Sequence, residues 1–117
     1  MPSGEASDTP SIEIREHGPH QIITINGSLD MFSAPSVERW LASVFSSPGP
    51  SLVLDLQNVD IVDSSGIGAL ISWGKRIESS QGSLRLMNIP PSLTRIFHAA
   101  RLGDRFEILE SESELEA

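Results

Sequence analysis

The order of apolar patterns along this chain predicts an α/β domain whose helices cover a β-sheet. Two observations carry that reading. Short β-branched or continuous apolar runs recur at residues 11–15, 21–26, 51–56, 84–89 and 105–109. Three stretches between the later runs space their apolar residues as a helix does. The resulting order, β-β-α-β-α-β-α-β, is that of an α/β domain.

Each element has its own signals. Residues 1–10, MPSGEASDTP, are rich in Ser, Gly, Pro and acids and predict a disordered tail. They have neither a basic start nor an apolar stretch, so no signal peptide is expected. SIEIR and QIITIN flank HGPH, a hairpin signal around Gly18-Pro19. PSVERWLASVF sets Val37, Trp40, Leu41, Val44 and Phe45 on one helical stripe. Ser33 is placed to cap that helix, and Pro35 suits its first turn, where N–H groups have no partner. SSPGP ends it. SLVLDL is the continuous apolar run of a central strand covered by helices.

After VDSSGIG (62–68), Ile67, Leu70, Ile71 and Ile77 recur at helical spacing, with Gly74 on the same face. Trp73 lies off that stripe, which makes it either a partly exposed contact residue or packing at the sheet edge. QGS breaks the helix at Gly82. LRLMNI predicts a strand, the two prolines a stop, and SLTRIFHAA a helix with Leu93, Ile96, Phe97 and Ala100 in phase. RFEIL (105–109) alternates like an edge strand. Residues 110–117 end as a short acidic helix or tail, and a helix from near Ser111 is the favoured reading.

Composition narrows the function. At 117 residues the chain fits one domain, 11–117 behind its tail, able to bury roughly two-thirds of its unfolded surface. With no Cys, neither a disulfide framework nor a thiolate metal site is available. Sixteen acids against eight bases give a charge of −8, which disfavours nucleic acid and anionic membranes as partners. No apolar run approaches the ~20 residues of a bilayer span. A cytoplasmic protein is expected.

Asp63-Ser64-Ser65 sits where a strand turns into a helix. Taken alone, it reads as an N-cap cluster, whose oxygens accept from first-turn N–H groups. Hydrolase readings fail, because the residue two before either serine is not Gly. His17, His20 and His98 read as solvated surface residues. GIG has no third spaced Gly and no following Lys, so neither a dinucleotide nor a phosphate-loop fingerprint is present. Asp60 and Asp63 lack a second catalytic group. No enzyme, metal or cofactor site is expected. Gly66 and Gly68 weaken the helix by about 1 kcal/mol each against Ala. What they offer is a bare helix start that another molecule can approach, whereas Gly74 fits close helix–sheet packing. Such a start also tolerates a phosphate.

LVLDLQNVDIVDSSGIGALISWGKRI resembles the signature segment of STAS-domain proteins, specifically bacterial anti-sigma-factor antagonists. The likeness extends to GSLDMFSAPSVERWL, similar to the family's G-x-L-D turn and first helix, and to PPSLTRIFHAARLGDRFEI. It covers roughly residues 11 to 110. The resemblance implies a single STAS-like domain, a mixed β-sheet with helices packed mainly on one side. It makes Ser64 the phosphorylated serine, with Asp63, Ser65 and Gly66 shaping its loop and Asp30 an acid beside it. The expected partner surface is Asp30, Met31, Phe32, Ile67 and Trp73. Met31 and Phe32 stand where many relatives carry polar residues.

The implied function is partner switching. Unphosphorylated, the protein would bind an anti-sigma factor that is also a serine kinase, releasing the sigma factor; phosphorylation would end the complex and a protein serine phosphatase would restore it. ATP and magnesium belong to the partner. A monomer or weak homodimer is expected. The alternatives are a STAS scaffold subunit of a signalling assembly and a regulatory partner of a transporter ATPase.

Overall fold

The computed structural model describes residues 11–45 and 48–115. The expected tail at residues 1–10 lies outside them. Strands β1 (Ser11–His17) and β2 (His20–Leu29) form the predicted antiparallel hairpin, with His17 opposite His20. Only Gly18 and Pro19 link them. Gly18 has φ 59°, a positive φ at the first central residue, as a type II′ turn requires. So tight a turn keeps both histidines in the ladder, which is why both strands outrun the apolar runs that predict them.

β2 pairs in parallel with β3 (Ser51–Asp55), β3 with β5 (Ser83–Met87), and β5 with β6 (Ile108–Leu109). The sheet order is β1-β2-β3-β5-β6, a mixed sheet. A sixth strand, β4 (Val59–Val62), lies parallel to the far end of β2. It follows a register shift between Gly27 and Ser28, and Gly27 has φ 116°. The sequence pattern does not show β4, because VDIV buries its two valines and exposes the pair between them instead of alternating.

Helices α1 (Ala34–Phe45), α2 (Ser64–Ser79) and α3 (Thr94–Ala99) share one core with the sheet. Ile23, Ile25, Leu52, Leu54 and Leu86 meet Val37 and Leu41 of α1, Leu70, Trp73 and Ile77 of α2, and Phe97 of α3. The alternate residues Ile22, Val53 and Met87 face away, into a second cluster with Leu109 and Leu115. Among the described residues no helix joins that second cluster, so the helices lie on one side, as expected. The far face is crossed by the C-terminal segment. Its acidic residues form a single 3-10 turn, Glu112–Glu114, rather than the helix expected from Ser111. Leu115 is buried beyond it, and Glu112 binds Arg15 and His17 of β1.

Three expectations fail here for packing reasons. Trp40 leaves the stripe expected to bury it, and Trp73, left open between contact and packing, is packed. Trp40 is 53% exposed, because Val37, Leu41 and Val44 already form the inward row of α1, while Trp73 is wholly buried. Phe45, the last residue of that expected stripe, has its side chain outside the described ones. His20 is buried rather than solvated, with Nδ1 2.7 Å from Ser51 Oγ and 3.3 Å from an Arg85 nitrogen. RFEIL gives only a two-residue strand, since Phe106 turns in against Gly74 of α2. A Cβ at Gly74 would lie 2.7 Å from the Phe106 ring, so the expected close packing at this glycine is met by that ring.

Candidate functional site: two adjacent helix starts

The register of β4 on β2 brings two loops together. Leu29 and Val62 are paired, and the Asp63 N–H donates to Leu29 O at 3.3 Å. From these strand ends the chain enters α1 through Asp30–Ser33 and α2 through Asp63. Asp30, Met31 and Phe32 therefore stand beside the Asp63–Gly66 turn.

The second loop settles which residue caps α2. The cap is Asp63, whose Oδ1 accepts from Gly66 N–H at 2.9 Å. Ser64 is thus the first helical residue rather than a loop residue preceding the helix, and both Ser64 and Ser65 are exposed. Relieved of the capping role, both serines stand at the surface.

The two glycines differ. Gly66 is buried, and a Cβ there would meet Leu29 O at 2.2 Å. Its bareness is what allows α2 to start against the end of β2, and it is not an approach surface. At Gly68 an added Cβ meets nothing within 4 Å, so there the helix start is bare toward solvent.

The first loop is held by Asp30. Its Oδ1 accepts from the N–H groups of Phe32 and Ser33, each at 3.0 Å. The Ser33 N–H holds the Asp30 carboxyl below its ordinary value; partial desolvation opposes this, and the Phe32 N–H and the Ser28 and Ser33 hydroxyls add to the lowering. Ser33 is not the side-chain cap of α1. Its hydroxyl donates to Ser28 O at 2.8 Å and accepts from Asp30 N–H at 3.0 Å, drawing the loop tight and leaving Met31 59% and Phe32 78% exposed.

The expected surface is therefore assembled in part. Asp30, Met31, Phe32, Asp63, Ser64 and Ser65 come together, and Ile67 is half-buried at the margin of α2. Trp73 is withdrawn from it: the indole is buried and its N–H faces Glu38 Oε1 at 3.3 Å. Trp40 and Ile61 are large exposed apolar residues that sequence reasoning missed as surface. Between α1 and α2 runs an open groove of about 590 Å³, lined by Met31, Pro35, Glu38, Arg39, Ser65 and Arg76. Arg76 pairs with Glu38 across it at 2.8 Å. The sequence alone does not signal this groove, because it depends on how the helices lie together. Among the described residues, no group of His, Asp or Glu is arranged to hold a metal, and no helix is long and apolar enough to cross a membrane.

The sequence and the fold are similar to those of known proteins. The chain is 33% identical over 106 residues to the anti-sigma-B factor antagonist of Listeria monocytogenes, covering 90% of this chain and 93% of that one. Its fold superposes on an anti-sigma factor antagonist from Mycobacterium paratuberculosis with a TM-score of 0.80 at 22% identity, covering 92% of this chain and 91% of that one. It also superposes on the phosphorylated form of the Bacillus cell fate determinant SpoIIAA, with a TM-score of 0.65 at 18% identity, covering 89% and 95%. The STAS domain family matches residues 11–115, and with its mixed sheet, one-sided helices and Asp-Ser-Ser-Gly helix start, this chain belongs to that family.

Proposed function

We propose that this protein is an anti-sigma-factor antagonist that works by partner switching, with Ser64 as the phosphate acceptor. One observation carries the reading: Asp63 caps α2, so Ser64 is exposed on a helix start beside the exposed apolar pair Met31 and Phe32. A partner anti-sigma factor with serine kinase activity docks on that apolar pair and reaches the hydroxyl. Family membership and the kinship to anti-sigma-B factor antagonists support this choice of partner.

The chain itself is a substrate and not an enzyme in this scheme; ATP and its magnesium come with the kinase, and a protein serine phosphatase resets the switch. Phosphate acts by charge. Phosphoserine adds about −1.5 to −2 charges at neutral pH, next to Asp63 and Asp30, in a chain of net charge −8. Free in solution, the phosphate is supported by the α2 N-terminus. Docked against an interface fitted to a neutral hydroxyl, it is desolvated among acids, which costs several kcal/mol. Incubation with the cognate kinase and ATP, followed by peptide mapping, tests the assignment. Phosphate on Ser64 is expected; phosphate on Ser65 alone would overturn it.

A further inference from the structure

We propose that β1 is a self-association edge, pairing antiparallel with β1 of a second copy about a twofold axis at Ile14. β1 ends the sheet, and among the described residues β2 is its sole strand partner. An open edge strand is a template for another strand. The hairpin fixes which of its groups are open. A two-residue turn makes His17 and His20 a hydrogen-bonded pair, and the alternation of an antiparallel ladder then turns Arg15, Glu13 and Ser11 toward β2. The N–H and C=O groups of Ile12, Ile14 and Glu16 point outward.

A twofold axis at Ile14 uses all of them. Ile14 faces Ile14 of the second copy, Ile12 faces Glu16, and each outward residue donates one bond and accepts one. Glu13 then lies opposite Arg15 of the second copy, twice by symmetry. Those positions fall in the non-hydrogen-bonded sites, where Cα atoms approach to about 4.5 Å and side chains are nearest. Glu13 and Arg15 are both exposed, Arg15 while it also pairs with Glu112 of its own chain, and Ile14, 47% exposed on the helix side, meets its own copy.

Neighbouring registers do not fit. A twofold axis at Ile12 sets Glu13 against Ser11 and carries Arg15 beyond the strand. One at Glu16 sets two glutamates face to face. Charges on an edge strand ordinarily deter pairing. Here their signs alternate across Ile14, an arrangement attractive to the same strand reversed. The contact is small beside the ~1,600 Å² of a standard interface, so a dissociation constant of roughly 10 µM to 1 mM is expected.

Sedimentation equilibrium of the full chain tests this, with melts to confirm folding. The average mass should rise with concentration from 12.7 kDa toward twice that value. Glu13→Arg and Arg15→Glu should each weaken association about tenfold by opposing like charges. An equimolar mixture of the two variants should associate as tightly as the native chain, because the mixed pair restores both attractions. Ile14→Pro removes an outward N–H without touching the ladder to β2 and should leave a monomer. Glu13→Arg reads the interface alone where Arg15→Glu loosens the Glu112 contact. A native chain that stays at 12.7 kDa near 1 mM overturns the proposal. So does association that these substitutions leave unchanged, or a mixture no tighter than its components.

Discussion

The starts of α1 and α2 use one device and present opposite chemistry. Each is entered through an aspartate whose carboxylate accepts from backbone N–H groups two or three residues on. In the first, the serine turns inward, bonded to Ser28 O, and the apolar residues Met31 and Phe32 are left outside. In the second, the residue pressed inward is Gly66, against Leu29 O, and two serines are left outside. What each loop shows to a partner follows from which residue the end of β2 can accommodate. Grease and hydroxyl end up adjacent because β4 lies in register beside β2.

The contrast can be broken most severely at its inward point. Gly66→Ala should cost about 3 kcal/mol or more in urea unfolding, since its Cβ would collide with backbone that cannot rotate away. A loss below about 1 kcal/mol would mean that α2 shifts freely against β2. Next comes the outward point. Ser64→Asp should leave the melt nearly unchanged but weaken anti-sigma binding about a hundredfold, whereas Ser64→Ala should bind constitutively. Calorimetric titration of both variants decides it, and equal affinities would remove charge as the switch.

Smaller effects separate the loops further. Because the Asp30 carboxyl is held below its ordinary value, its contribution is fully present above pH 3.8 and lost as pH falls through the lowered value. Asp30→Asn should therefore be less stable than the native chain at neutral pH, and the gap should close in acid. Melts from pH 7 down to about 2 measure it, and a gap independent of pH would contradict the assignment. The smallest effect has the opposite sign. Gly68→Ala, facing open space, should stabilise the free protein by about 0.5–1 kcal/mol. If a partner packs on that bare turn, the same change weakens the complex, and comparing melt with affinity reads both.

Much of this arrangement is visible in the sequence, where it depends on neighbours along the chain. The hairpin, the order of elements apart from β4, α2 and the turn at Asp63 follow from local pattern. What depends on the sheet's end does not. Asp63, Ser64 and Ser65 are equivalent as caps until β4 sets the chain's direction, and β4 is too short to show a period. Trp40 is misplaced, and Trp73 is left open between contact and packing, for a related reason. Periodicity marks a stripe but not its centre, and in α2 the buried face takes in Trp73 as well as Gly74, which lies under Phe106. The glycines of α2 look alike as letters. Only the backbone of Leu29 tells Gly66 from Gly68.

The clasp of Glu112 on Arg15 and His17 also has a kinetic meaning. These contacts join residues 97 and 95 positions apart. Closing so long a loop is costly until the intervening sheet exists, so the clasp is expected to form late in folding. Interactions absent from the transition state govern how fast a protein comes apart and leave its rate of assembly nearly untouched. The clasp is therefore a latch on a structure already built, and as a partly exposed ion pair it adds only modestly to the barrier against unfolding.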